Sequence, residues 1–172
     1  NLVGGVRRDI PADAHSDIER VLADIEREWK LLTDTLPGDR TLMARLRGVG
    51  RLTPQQVREC AALGPVARAS GVAIDVRVDH PYAAYDELDV TPCVEEGGDV
   101  LARLLVRLAE TPLAIGIVRQ ALAQMPEGPI RAQIDEEIPA GREGIAAIEA
   151  PRGESFHWVL TGENNRPARW RV

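Results

Sequence analysis

Apolar residues recur at helical spacing through the first part of the chain. Ile18, Val21, Leu22, Ile25, Trp29, Leu32 and Leu36 fall three, four and seven apart, on one face of a helix expected over 16–36. Ser16 followed by Glu19 reads as a capping box at its start, and Pro37-Gly38 ends it. A short helix is expected over about 39–46, closing at Gly48. Thr53-Pro54 supplies an N-cap and a first-turn proline for a third helix that reaches about Leu63.

Between 64 and 98 the helical period is lost. Gly64-Pro65, Ser70-Gly71, His80-Pro81, Thr91-Pro92 and Gly97-Gly98 punctuate a stretch that still holds Val72, Ile74, Val76, Tyr82 and Tyr85. The expectation is a long ordered loop, and a loop of this length in a compact domain is usually functional or an interface. Periodicity returns over about 99–125, capped by Asp99. Leu101, Leu104, Leu105, Leu108, Ile115, Val118, Leu122 and Met125 form its buried side, Pro112 predicts a kink, and Pro126 ends it. From Gly144 the texture is β. Runs over 145–150 and 156–161 are joined by Pro151-Arg152-Gly153-Glu154, and the turn 162–165 leads into a third run over 166–172. The fold class is therefore α+β: mainly a helical bundle with a long ordered loop and a C-terminal antiparallel β-meander. It reads as a single domain over 1–172, with a helical part over 1–126 and the meander over 144–172.

Composition sharpens this in two ways. Aromatics are 3% of the 172 residues, so the core must be built from Leu, Ile, Val and Ala, which favours helix packing over a β-sandwich. The net charge of −6 makes the chain a poor ligand for nucleic acid, which needs a basic footprint. Lys30 is the one lysine, and the other basic residues are all arginine. No run of 18 apolar residues is present, so no membrane-spanning helix is expected. The opening Asn1-Leu2-Val3-Gly4-Gly5 and the closing Arg169-Trp170-Arg171-Val172 read as the inside of a longer protein.

Candidate chemistry is sparse. Cys60 and Cys93 lack Cys-x-x-Cys spacing, so neither a redox dithiol nor a Cys-only metal site is expected. His80, with Asp79 beside it, offers too few donors for a tight metal site, and His15 and His157 read as structural or surface residues. Ser70, His80 and Asp86 could be drawn as a triad, but no nucleophile-elbow pattern surrounds the serine. The most suggestive string is Glu149-Ala150-Pro151-Arg152-Gly153. An arginine fixed between Pro and Gly at a turn tip fits either a solvated hairpin or a charged group held out into a site.

Several strings taken in order resemble one known family. They are Gly4-Gly5-Val6-Arg7-Arg8-Asp9, Gly64-Pro65-Val66-Ala67-Arg68-Ala69-Ser70-Gly71, Asp75-Val76-Arg77 with His80-Pro81-Tyr82, and Tyr85-Asp86-Glu87-Leu88. Gly98-Asp99, Arg119-Gln120-Ala121-Leu122, Met125-Pro126-Glu127-Gly128, Glu149-Ala150-Pro151-Arg152-Gly153-Glu154 and Asn165-Arg166-Pro167 complete the set. Their order resembles the large subunit of membrane-bound nickel–iron hydrogenases and formate hydrogenlyase, and the homologous subunit of respiratory complex I, the NADH–quinone oxidoreductase. The opening string and the short connection over 131–143 lean toward the hydrogenase branch. The quinone-chamber subunit and a non-catalytic assembly module remain alternatives.

The resemblance implies a redox-complex subunit. Electrons would pass to an iron–sulfur small subunit, and membrane subunits would hold the complex on the inner face of the cell membrane. The four cysteines that hold a nickel–iron centre would lie outside these residues, as would the quinone-site His and Tyr of the other branch, so this stretch itself binds no metal or cofactor. One catalytic feature carries over: Arg152 matches the arginine that overhangs the nickel–iron centre. The chain also departs from the family pattern. Arg107-Leu108-Ala109-Glu110-Thr111-Pro112 stands where relatives read Arg-Val-Glu-Glu-Met-Arg, and Leu101-Ala102-Arg103 stands where a Tyr-Asp-Arg often follows the capping Asp.

Overall fold

A computed structural model of the chain describes residues 4–134 and 137–172. Its long elements are two 24-residue helices, α1 over Ala12–Thr35 and α6 over Val100–Ala123, and a three-stranded sheet. Helix α1 starts one turn before the expected boundary. Pro11 holds extended backbone at the N-cap, and Ala12, Asp13 and Ala14 carry the helix upstream. Ser16 is therefore inside α1, where its hydroxyl donates to the Asp13 carbonyl at 3.1 Å instead of capping. Asp39 caps α2 (Arg40–Leu46), and Thr53 with Gln56 forms a complete capping box on α3 (Pro54–Glu59).

The segment over 64–98 is more ordered than its lack of period suggested. It holds α4 (Gly64–Arg68), α5 (Val76–Asp79) and a 3₁₀ turn over Tyr85–Glu87. Helices of four and five residues are too short to print a 3.6 period on the sequence. Much of the interior is here: Ala67, Arg68, Ala69, Ser70, Asp75 and Val76 are all buried. Ala69 packs with Ala102 and Val106 of α6, and Cys93 lies against them.

Helix α6 is the spine on which α1, α2 and α4 lie. It runs unbroken through Pro112. A proline there has no N–H for the Leu108 carbonyl four residues back. The Trp29 indole of α1 fills the gap, donating to that carbonyl at 3.1 Å. Arg119 ties the same two helices by bonding Glu19 and Glu26. The apolar face of α1 is only partly covered: Leu22 is buried, while Val21, Ile25 and Leu32 are exposed.

The sheet is the expected antiparallel meander, β1 (Glu143–Ala150), β2 (Gly153–Thr161) and β3 (Pro167–Arg171). The first hairpin is tighter than expected. Ala150 pairs with Gly153, so the turn is two residues, Pro151 and Arg152. The sheet meets the helical body through α5 against β1 and α4 against β2. At the other end of the chain, Gly4 and Val6 pair with Ala132 and Ile130 around a Gly5–Arg131 bridge.

Candidate functional site

The strings that carry the family resemblance are far apart in sequence, yet three of them meet at one buried charge cluster. Its centre is Arg68 on α4, whose side chain is 1% exposed. One arm of the guanidinium, Nη1, donates to the Ile74 carbonyl at 2.8 Å and lies 3.4 Å from Asp75 Oδ2. The other, Nη2, donates to Glu110 Oε1 of α6 at 2.5 Å and stands 3.0 Å from Glu149 Oε1 of β1. The Glu149 contact is a charge contact without hydrogen-bond alignment, and Arg68 Nε has no partner among the described residues. Arg77 completes the group, gripping both oxygens of Asp75 at 2.9 and 2.6 Å.

Two arginines thus face three carboxylates in the interior. Burial works to raise the Asp75 carboxyl, but the hydrogen bond and charge of Arg77, with Arg68 behind, hold it below the usual carboxylate range. The same hydrogen bond raises Arg77 further. Burial pushes the neighbouring Cys93 thiol up, and the charge of Glu110 adds to it. A half-buried thiol raised in this way is a poor nucleophile.

The cluster holds the Arg152 turn from below. Glu149 lies directly before Ala150 and the turn. Its carboxylate accepts from the Val76 N–H at 3.4 Å besides facing Arg68, and its own N–H donates to the Tyr82 hydroxyl at 3.2 Å. Tyr82 packs edge-on against Tyr85, with ring centres 4.8 Å apart. On the far side of the turn, Gly153 lies on Gly64. A Cβ on Gly64 would come within 2.3 Å of Gly153 Cα, and Gly64 has φ of +62°. Only glycine fits so close an approach of two backbones.

Arg152, the residue expected to act, is exposed at the tip and makes no ion pair or side-chain hydrogen bond with a described residue. Glu149, Arg68, Asp75 and Tyr82 belonged to strings noticed for their resemblance, but sequence reasoning gave none of them a role. The signal that could have found the cluster was an arginine alone among small and apolar residues, Gly64-Pro65-Val66-Ala67-Arg68-Ala69-Ser70-Gly71, with no charge beside it to share a solvated face. Of the other candidates, Cys93 borders the cluster, while Cys60 and His157 stand apart from it. Cys60 is exposed at the C-cap of α3, and His157 bonds Ser155 and Trp170 within the sheet. Among the described residues no three His, Cys, Asp or Glu side chains come together to hold a metal. Asp99 is an N-cap, bonding the Ala102 and Gly48 N–H groups, and those bonds hold its carboxyl low.

Comparison with known proteins gives this geometry a family. Residues 1–145 match the family described as respiratory-chain NADH dehydrogenase, 49 Kd subunit. The chain belongs to that family. It is 37% identical to formate hydrogenlyase subunit 5 of Escherichia coli (strain K12), over 99% of this chain and 30% of that one. It is 39% identical to the carbon monoxide-induced hydrogenase of Rhodospirillum rubrum, over 99% of this chain and 48% of that one. It also superposes on a chain of the membrane-bound sulfane sulfur reductase, an archaeal respiratory membrane complex, with a TM-score of 0.88 and 32% identity, over 99% of this chain and 48% of that one. The chain therefore spans about 30–48% of the length of these relatives. None of its described helices is long and apolar enough to cross a membrane.

Proposed function

We propose that these residues form part of the catalytic large subunit of a nickel–iron hydrogenase complex, and that Arg152 is held over its active centre. The observation that carries this is the Arg152 turn. Its two flanks are anchored on a buried ion cluster and a glycine–glycine contact, while its guanidinium is left unpaired among the described residues. A rigid mount under an unpaired charge suits a group that must meet a reacting species from one direction. The names of two relatives, a formate hydrogenlyase subunit and a hydrogenase, favour the hydrogenase branch. The family's own description favours the second reading, a quinone-chamber subunit of an NADH–quinone oxidoreductase.

In either case the partner is an iron–sulfur subunit, with membrane subunits attaching the complex as a peripheral arm on the inner face of the membrane. Among the described residues no group of metal-ligating side chains comes together. The nickel–iron centre, where present, rests on cysteine pairs elsewhere in the subunit and supplies the hydrogen chemistry. Arg152 contributes a fixed positive charge and hydrogen-bond donors.

The test is Arg152→Lys in the complete complex. Lysine keeps the charge but loses the planar fork. Hydrogen-dependent viologen reduction should fall by about 10²-fold, the usual loss on removing one preorganised donor. Undiminished turnover sinks the role of Arg152. The branch is decided separately, by two Cys-x-x-Cys pairs in the complete reading frame; without them the quinone reading takes over.

A further inference from the structure

We propose that Glu149, Arg68 and Tyr82 are positioning residues that set where the Arg152 guanidinium stands; this rests on the reading of Arg152 given above. Arg152 has no side-chain contact of its own among the described residues to fix it. Its location is inherited from the backbone of a two-residue turn, and so from what grips the residues on either side. Gly153 is gripped by shape alone, through Gly64. Glu149 is gripped by chemistry from two elements of the segment over 64–98. Arg68 and the Val76 N–H hold its carboxylate, and the Tyr82 hydroxyl holds its N–H.

The arrangement of charges shows why Arg68 reaches Glu149 at all. Arg77 already engages both oxygens of Asp75, and Arg68 stands 3.4 Å from that carboxylate. The Nη2 side of Arg68 is thereby turned to Glu110 and Glu149, which lie on two different elements, α6 and β1. A buried ion cluster is a poor way to gain stability, since apolar residues of the same volume often do as well or better. What it does provide is direction. The guanidinium ties α4 to the spine through its hydrogen bond to Glu110, and to the strand that leads into the turn through its charge contact with Glu149. Displacement of a reacting group by about 1 Å can lower turnover by about 10²-fold, so small slack at Glu149 is magnified at Arg152.

The experiment uses the full complex and two single variants, Glu149→Gln and Tyr82→Phe, each alone and combined with Arg152→Lys. Glu149→Gln keeps the shape and removes the charge facing Arg68. Tyr82→Phe removes only the hydroxyl and is the gentler change. The first readout is amide hydrogen exchange over 149–153, which does not depend on activity. Exchange there should quicken by about fivefold in both variants, the loss of a hydrogen bond worth roughly a kcal/mol, with the rest of the subunit unchanged. The second is kcat for hydrogen-dependent viologen reduction. It should fall in each variant with KM unchanged, and each double variant should be no slower than Arg152→Lys alone, to within about twofold. Unchanged exchange at 149–153 overturns the inference. So do losses that multiply with Arg152→Lys, or that merely follow a loss of assembled complex in both variants. If Arg152→Lys alone keeps full turnover, the role of Arg152 falls and the positioning role with it. If Arg152→Lys is impaired while the other variants act independently of it, the positioning role falls by itself.

Discussion

Replacing Arg68 by methionine tests whether the cluster is as tightly coupled as its geometry implies. Methionine fills much of the same volume and adapts to irregular space, so the loss measured is chiefly that of charge. Removing one member of a buried ion pair costs about 3–5 kcal/mol, because the partner is left buried and uncompensated. The structure narrows this range. Asp75 keeps both bonds from Arg77, and Glu110 is 20% exposed and so partly hydrated. Glu149, at 7% exposure, keeps only the Val76 N–H, and it bears most of the penalty. The lower end, about 3 kcal/mol, is expected. For a chain of this size that lowers Tm by about 6–12 °C. The assay is guanidinium and thermal unfolding of the 172-residue chain. A companion triple variant, Arg68→Met with Glu110→Gln and Glu149→Gln, removes the stranded charges and should recover more than half of the loss. A loss below about 1 kcal/mol, the level of an exposed pair, or a triple variant less stable than Arg68→Met alone, would refute the reasoning.

Further outcomes follow from other contacts. The Asp75 carboxyl is held below its ordinary value in the folded chain, so its contribution is complete above its unfolded value of about 3.9 and drains away as the pH falls through the lower folded value. Asp75→Asn should therefore be less stable at pH 7, yet lose less stability between pH 5 and pH 3, as read from denaturant midpoints. Trp29→Phe leaves the Leu108 carbonyl without its donor and should cost about 1–3 kcal/mol. Adding Pro112→Ala restores a main-chain N–H to that carbonyl, so unfolding of the double variant should show part of the loss returned. The exposed apolar residues of α1, with Ile145 at 71% and Trp170 at 60% exposure on the sheet, should make the separate chain self-associate; a single monomeric species in analytical ultracentrifugation would show otherwise.

What could be read from the sequence divides by the range of the interaction. Thr53 and Asp99 act on backbone within one turn, and the helix starts they predict are where the caps lie. The strand runs and their order were equally plain from short apolar runs and the turn residues between them. The start of α1 was misplaced because Ser16 and Glu19 satisfy the capping pattern, while Pro11, three residues before Ala14, sets the real boundary. The cluster could not be read at all. Its bonds span 42 residues from Arg68 to Glu110, 73 from Val76 to Glu149 and 67 from Tyr82 to Glu149. No local rule pairs charges at such separations. The departure noted at Arg107-Leu108-Ala109-Glu110-Thr111-Pro112 also takes on meaning. Of the two carboxylates in the family pattern, the chain lacks the one at Ala109 and keeps Glu110, the one that meets Arg68.

The scarcity of aromatics explains why charge holds the turn in place. None of the six aromatic side chains is buried, and the apolar interior consists of Val, Ala, Leu and Ile. Small side chains pack closely but reach little distance, and they cannot lock a projecting sheet against a helical body by shape. Much of this sheet stands clear of the body, with Ile145, Phe156 and Trp170 exposed. Its orientation depends on its inner end, where Gly153 presses on Gly64 and Glu149 meets Arg68, Val76 and Tyr82. A long guanidinium spans a gap that alanine and valine cannot, bonding Glu110 of the body and standing 3.0 Å from Glu149 of the sheet. The same contacts that orient the whole sheet are those immediately beneath Arg152. A subunit built this way couples the placement of its β-meander to the placement of one exposed charge, so any partner that tilts the sheet also moves the Arg152 turn.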